Sequence, residues 1–264
     1  MRLFRRSWLP EQPERALLVV HGLAEHSGRY EHVGAWFAEH GSAVHAYDQR
    51  GHGRSGGTPG HLRRFDDYLD DLAAMLARVR EEHPDLPLSL VGHSMGGLVV
   101  TAFVRERPSD VAAAVTSGAA LKLRDDISSS MRWMARILGR LLPRLRMNNE
   151  IDPAGLSRDA SVGEAYLADP LVFRKITTSF ADQLFQAIER TAGGGGDVHL
   201  PMLMLHGEAD PVCPADATRS FFADLDPSQS VMRIYPKLLH EIFNEPEHEA
   251  IFGDVLAWLR ERKV

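Results

Sequence analysis

Residues Leu88–Val91 form a short apolar run, followed directly by Gly92-His93-Ser94-Met95-Gly96-Gly97 and then by a helical pattern from Leu98 onward. A buried strand that reverses into a helix within so few residues admits few folds. The turn must be so tight that a Cβ at position 92 or 96 would collide with neighbouring backbone. It leaves the Ser94 hydroxyl at the carboxyl end of a strand and at the positive end of a helix, where an anion is stabilised. Strand, Gly-x-Ser-x-Gly and helix together are the context of a nucleophile elbow. The competing reading is a glycine-rich turn that cradles phosphate. Against it, no Gly-x-x-x-x-Gly-Lys-Ser/Thr occurs and no Gly-x-Gly-x-x-Gly stands directly after a strand.

The rest of the chain alternates in the same way. Ala16–His21, Ala43–Tyr47, Leu88–Val91, Val111–Thr116, Met202–Leu205 and Val231–Tyr235 read as strands. Glu31–His40, Asp66–Glu82, Met95–Arg107, Phe180–Ala192, Ala215–Leu225 and Pro246–Lys263 have helical spacing. Within Asp66–Glu82, Tyr68, Leu69, Leu72, Met75, Leu76 and Val79 fall three and four apart, on one face. Such alternation predicts one α/β domain over residues 1–264, with a mostly parallel central sheet and helices on both faces. The ligand crevice of such a sheet lies at the carboxyl ends of its strands. From Ala119 to Arg174 no strand is legible, and this stretch reads as a helical cap inserted over the crevice. Gly193–Gly196 reads as a flexible joint leading back to the sheet.

A net charge of −6 argues against nucleic acid as a partner. The single Cys213 excludes an internal disulfide and a cysteine zinc cluster, and fits a reducing compartment. Arg5, Arg6, Glu11, Glu14 and Arg15 interrupt any signal-peptide core, and no run approaches the ~20 apolar residues of a membrane span. A cytoplasmic location follows as the expectation, with peripheral membrane contact left open.

A serine hydroxyl needs a base to take its proton, and the base needs an orienting carboxylate, in the chain order Ser, acid, His. Met202–Asp210 is a strand ending in an acid, and Ile234–His240 puts a histidine in the loop after another strand. Asp210 and His240 are therefore the expected partners of Ser94, with Glu208 and His248 as rivals. Oxyanion donors are expected from the backbone N–H of Met95, beside the nucleophile, and of Leu23, after the strand that ends in His21-Gly22. No His-Glu-x-x-His pair occurs, so neither metal nor cofactor is expected.

Four segments together, His21–Tyr30, Tyr47–Ser55, Gly92–Gly97 and Gly207–Asp210, resemble the monoacylglycerol lipase and lysophospholipase group of α/β-hydrolases. Ile151–Arg158 and Ala168–Leu171 resemble that group's cap segment. The resemblance implies the α/β-hydrolase fold, a lipid ester as substrate, Ser94, Asp210 and His240 as triad, and Leu23 and Met95 as oxyanion donors. It implies further that Glu25, Arg29 and Glu150 contact the polar end of the substrate. Some members carry a second histidine three residues after the catalytic one; here that position is Phe243.

Met131–Leu145 reads as an amphipathic helix with Met131, Met134, Ile137, Leu138, Leu141, Leu142 and Leu145 on one face and Arg132, Arg136, Arg140 and Arg144 on another. Such a helix either roofs an acyl pocket or lies on an anionic membrane. The competing functions are a lysophospholipase, carboxylesterase, thioesterase or peptidase on the same scaffold, and a non-catalytic ligand receptor. Ser94 at the elbow excludes hydrolases that use an aspartate nucleophile there.

Overall fold

Period-two alternation along the strands builds two hydrophobic layers. The computed structural model describes residues 1–107, 110–122, 127–149 and 151–264. Its main sheet contains β1 (Arg5–Trp8), β2 (Arg15–Val20), β3 (Ser42–Tyr47), β4 (Leu88–His93), β5 (Ala113–Ser117), β8 (Met202–Gly207) and β9 (Val231–Tyr235). The strand order is β1-β3-β2-β4-β5-β8-β9. All neighbours are parallel except β1, which runs antiparallel to β3 from Arg5 opposite Tyr47 to Trp8 opposite Val44.

Leu17 and Val19 of β2 face one layer, with Val33 and Phe37 of α1 (Glu31–Glu39) and Phe252, Val255, Trp258 and Leu259 of α8 (His248–Glu261). Ala16, Leu18 and Val20 face the other, with Leu69, Leu72 and Val79 of α2 (Asp66–Glu82) and Leu98 to Val100 of α3 (Met95–Glu106). Because β2 to β5 and β8 are covered on both sides, every residue in them is buried. All six apolar residues expected on the inner face of α2 are buried, and Asp66, Asp67 and Arg80 sit at the ends where the helix dipole favours them.

The excursion between β5 and β8 departs from expectation. It holds α4 (Ser129–Leu141), β6 (Arg146–Asn148), α5 (Ala160–Ala168), β7 (Lys175–Thr177) and α6 (Thr178–Thr191). So the stretch from Ala119 to Arg174 does contain a strand: β6 pairs antiparallel with β7, Met147 opposite Ile176. Three residues are too few to leave a hydrophobic period. The amphipathic helix is shorter than Met131–Leu145, because Pro143 disfavours helical geometry at Leu142, which adopts φ −132° and ψ 59°. Gly193–Gly196 forms a packed turn instead of an open joint. Arg105 crosses it, bonding the Arg190 carbonyl and the Asp197 carboxylate at 3.0 Å, and Gly195 is buried. Helix α7 (Ala215–Phe222) follows β8.

Leu18 has no exposed surface and lies between α2 and α3. Leu18→Ala should cost about 3 kcal/mol through lost burial and a cavity, read as a lower urea midpoint at an unchanged slope.

Candidate active site

Ser94 sits between β4 and α3 at φ 54° and ψ −118°, a left-handed backbone that a side-chain-bearing residue holds only under constraint. Three backbone bonds hold it: Ser94 N–H to Ser117 O at 2.9 Å, and Ala120 and Leu98 N–H to Ser94 O, each at 3.1 Å. The glycines make the approach feasible. A Cβ on Gly92 would lie 2.5 Å from the Gly96 carbonyl oxygen, and one on Gly96 would strike the Val20 carbonyl of the neighbouring strand.

His240 Nε2 is 2.9 Å from Ser94 Oγ, and its Nδ1 is 2.7 Å from Asp210 Oδ2. A carboxylate only accepts, so Nδ1 carries the proton and Nε2 presents its lone pair to the serine hydroxyl. Burial opposes the charged imidazolium, but the Asp210 carboxylate outweighs it, with smaller help from Glu241 and Glu25, and raises His240 above the ordinary imidazole value. Burial likewise opposes ionisation of Asp210, yet His240 and the hydrogen bond from His206 hold its carboxyl well below the usual range. The loop that delivers His240 lies so close to β8 that a Cβ on Gly207 would strike the Leu239 carbonyl. The rival acid, Glu208, points outward, 3.6 Å from Arg219 at the surface. His248 opens α8, bonded to the Glu245 carbonyl at 2.7 Å.

The loop after β2 has one peptide locked in orientation. His21 Nδ1 is 2.7 Å from Gly22 O, and His21 Nε2 is 3.0 Å from Gln49 N. A carbonyl only accepts and a backbone N–H only donates, so His21 is the neutral Nδ1–H tautomer. Its bond fixes the Gly22 carbonyl and therefore the opposite direction of the Leu23 N–H in the same trans peptide. Met95 is the first residue of α3, where an N–H has no partner within the helix.

Beyond this loop, Arg29 is closed between two carboxylates: Glu25 Oε2 at 2.7 Å, and Glu241 Oε1 and Oε2 at 2.7 and 2.8 Å. The other Glu25 oxygen accepts Gly22 N–H at 2.5 Å and Tyr30 O–H at 2.7 Å. Burial pushes Glu25 up, but Arg29 wins, aided by His93, His21 and the Tyr30 bond, and lowers it to about 2. His93 stays neutral: burial, then neighbouring His240, drives it down to about 4.

Two spaces meet at Ser94. One is a cavity of about 220 Å³, mostly apolar, to which Met131, Met147, Ile176, Leu184, Phe185 and Ile188 contribute. The other is a pocket of about 20 Å³ lined by Glu25, Arg29, His93, Tyr166, His240 and Glu241. Ser94, Leu23 and Ile151 line both. A wider surface cleft of about 420 Å³, lined by residues such as Asp66, Arg136 and Glu189, includes none of the Ser94, His240 and Asp210 cluster.

Of the residues expected at the site, Ser94, Asp210, His240, Leu23, Met95, Glu25 and Arg29 come together; Glu150 lies outside the described residues. Phe243 lines neither space and packs in the core, 5.6 Å from the Phe252 ring. Among the described residues, His45, Glu82 and His83 could bring ligand atoms within 4.8 Å of one another. The Glu82 carboxylate is engaged by Arg5 and Arg78, and His45 Nε2 is 3.0 Å from His83 Nε2.

Residues 11–247 match the family model described as serine aminopeptidase, S33. A monoacylglycerol lipase from Mycolicibacterium smegmatis is 36% identical over 98% of this chain and 93% of its own length. The monoglyceride lipase of Homo sapiens is 29% identical over 98% of this chain and 87% of its own. In three dimensions, the crystal structure of a monoacylglycerol lipase from Paleococcus ferrophilus superposes with a TM-score of 0.90 at 31% identity, covering 99% of this chain and 100% of that one. The chain belongs to this family of α/β-hydrolases. It is a serine ester hydrolase.

Two residues of the hydrolase site escaped sequence reasoning. Glu241 follows His240 directly, but no spacing rule ties it to Arg29, which is 212 positions away. His206 was visible as an imidazole ending the buried run Met202–Leu205, four residues before Asp210.

Taken as the base, His240 must be neutral to accept a proton, so activity is expected above its raised value and is lost as pH falls through it. The acid limb of kcat/KM on a soluble ester should lie above the ordinary imidazole value of about 6.5; a limb below that would contradict the electrostatics described.

Proposed function

We propose that the chain hydrolyses monoacylglycerols and related lipid monoesters through an acyl-enzyme on Ser94. One observation carries the reading: Ser94 lines both the apolar cavity and the polar pocket. An ester carbonyl at Ser94 then has room for an alkyl chain on one side and meets the side chains of Glu25, Arg29 and Glu241 around a small pocket on the other. Unbranched Met and Leu side chains adapt to a flexible acyl chain.

In this reading Ser94 Oγ attacks the carbonyl carbon while His240 Nε2 takes its proton. The Leu23 and Met95 N–H groups stabilise the oxyanion, each worth roughly 10²–10³ in rate. His240 then gives the proton to the leaving alcohol oxygen. A water, deprotonated by His240, attacks the acyl-enzyme and releases the fatty acid and Ser94. Asp210 orients His240 and balances its charge. Glu25, Arg29 and Glu241 offer hydrogen bonds to the alcohol, and the resemblance implies a further contact from Glu150. Cleavage at a peptide N-terminus is disfavoured, because the carboxylates that would bind an ammonium are closed on Arg29.

Residues 119–174 act in this proposal as the cap: Met131, Met147, Asn148, Asn149 and Ile151 line the apolar cavity. The cap carries a second role, contact with a membrane from which the substrate enters. Trp133 is 67% exposed and Leu141 73%, beside exposed Met134, Leu142 and Leu145 and the exposed Arg136, Arg140 and Arg144. No helix among the described residues is long and apolar enough to cross a membrane, so the contact is peripheral.

A fluorophosphonate probe should label the native chain and spare Ser94→Ala; equal labelling of both would sink the mechanism. On a panel of substrates, monoacylglycerols should be cleaved in preference to lysophospholipids, short p-nitrophenyl esters and aminoacyl anilides. A preference for anilides over every ester would overturn the lipid reading.

Membrane contact is checked by sedimentation with anionic vesicles. Changing Arg136, Arg140 and Arg144 to Glu should weaken binding by at least about 1 kcal/mol per arginine at low salt, and Trp133→Ala should weaken it at every salt. Unchanged binding in both would remove the membrane role.

A further inference from the structure

The strand β8 is Met-Leu-Met-Leu-His-Gly, and its histidine, His206, has no exposed surface. An imidazole in the middle of an apolar layer is costly unless each nitrogen is bonded. Here both are. Nδ1 is 2.8 Å from Thr218 Oγ1 on α7, and Nε2 is 3.0 Å from Asp210 Oδ2 and 2.9 Å from the Cys213 carbonyl. A carboxylate and a carbonyl only accept, so the proton sits on Nε2, and the Thr218 hydroxyl must donate to Nδ1. The two acceptors at Nε2 thereby select the tautomer, and Thr218, 1% exposed, completes it at Nδ1.

The consequence falls on Asp210. Its Oδ1 accepts Val212 N–H at 2.7 Å and Cys213 N–H at 2.9 Å, while its Oδ2 accepts His240 Nδ1–H at 2.7 Å and His206 Nε2–H. Four donors fill the four lone-pair sites of one carboxylate whose side chain has no exposed surface. We infer that His206, held by Thr218, is a positioning residue of the reaction: it helps to pin Asp210 Oδ2 in line with His240 Nδ1. An apolar side chain of similar volume would fill the space and leave Oδ2 with a single bond. With one restraint fewer the carboxylate would shift about χ2, and His240 would lose part of its alignment towards Ser94. Both oxygens turn together about Cβ–Cγ, so the backbone bonds at Oδ1 limit that shift, and His206 adds a second side-chain restraint at the oxygen that faces His240.

This inference rests on the assignment of Asp210 and His240 as the working pair. The test is steady-state kinetics across pH on a soluble p-nitrophenyl ester, with His206→Leu, His206→Gln, Thr218→Val and Ser94→Ala beside the native chain, and thermal melting as a control for folding. The acid limb reports His240, which faces Asp210 from the loop after β8, His93 from β4, Glu25 from the loop after β2, and its own neighbour Glu241.

For His206→Leu, kcat should fall roughly 10- to 100-fold, short of the ~10⁴-fold typical of spoiling the orienting carboxylate itself. KM should stay within about twofold, and the acid limb should move down towards that of an unassisted imidazole. His206→Gln, whose amide N–H has similar reach, should recover most of kcat and the limb. Thr218→Val should shift both in the same direction as His206→Leu but less. Native kcat and an unmoved limb in a folded His206→Leu, or a Gln variant no better than Leu, would overturn the inference. Where His206→Leu does not fold, native kinetics in Thr218→Val overturns it instead. Activity in Ser94→Ala would overturn the underlying mechanism, a separate outcome from either.

Discussion

The backbone of Ser94 is the constraint on which the other parts of the site depend. A non-glycine residue in the left-handed region costs on the order of 1–3 kcal/mol and persists only where its surroundings overdetermine it. Here Ser117 on β5 fixes the serine N–H, and Ala120 and Leu98 fix its carbonyl. Gly96 lets α3 start against the Val20 carbonyl of β2. The turn thus ties together β2, β4 and β5, the three central strands. It also aims three things at one point: the hydroxyl, the first N–H of α3, and the loop after β2. Had any of these strands lain one position away in the sheet, the Ser94 hydroxyl and the backbone N–H groups of Leu23 and Met95 would have diverged.

Around that point the protein holds ionised groups in a region with little water, which is unfavourable unless each is matched. Glu25 and Glu241 share Arg29, and Asp210 is matched by His240, His206 and two backbone donors. The neighbouring imidazoles are treated in the opposite way. Burial lowers His21 and His93, so they stay neutral and act as hydrogen-bonding parts. Only His240 is raised, because the Asp210 carboxylate overcomes the cost of its burial. Asp210, with smaller help from the pocket carboxylates Glu241 and Glu25, thus distinguishes His240 from the other buried histidines around Ser94.

The sheet was legible in the sequence because parallel strands buried on both faces appear as unbroken apolar runs, as in Leu17–Val20 and Met202–Leu205. β1 was not, because Arg-Arg-Ser-Trp at an antiparallel edge has no such run and is defined only by its pairing with β3. β6 and β7 are too short to carry a period, and α5 lacks a clear apolar stripe. At the site, the elbow announced itself by local glycine spacing, whereas Glu241 becomes meaningful only when the fold carries it 212 positions back to Arg29. The Phe243 position marks the limit of residue-by-residue transfer. A polar group there would have faced the core, since Phe243 packs on Phe252, and the polar pocket of this chain is assembled from other residues.

The two-sided site also accounts for the uneven surface above it. An enzyme whose substrate is amphiphilic must accept the alkyl chain without crossing open water with it, because each exposed CH₂ costs about 0.8 kcal/mol. Met131 both lines the apolar cavity and is 44% exposed, and Met147 does the same at 44%. Met131 stands on the same helix, α4, as the exposed Trp133, Met134 and Leu141. A folded chain rarely tolerates so much exposed apolar surface without a use for it. The exposed Arg136, Arg140 and Arg144 lie on the same segment, and the proposed anionic membrane would match their charge. In the proposed reading, Met131 and Met147, exposed at one end and lining the cavity that reaches Ser94 at the other, are where the alkyl chain of a lipid monoester would enter.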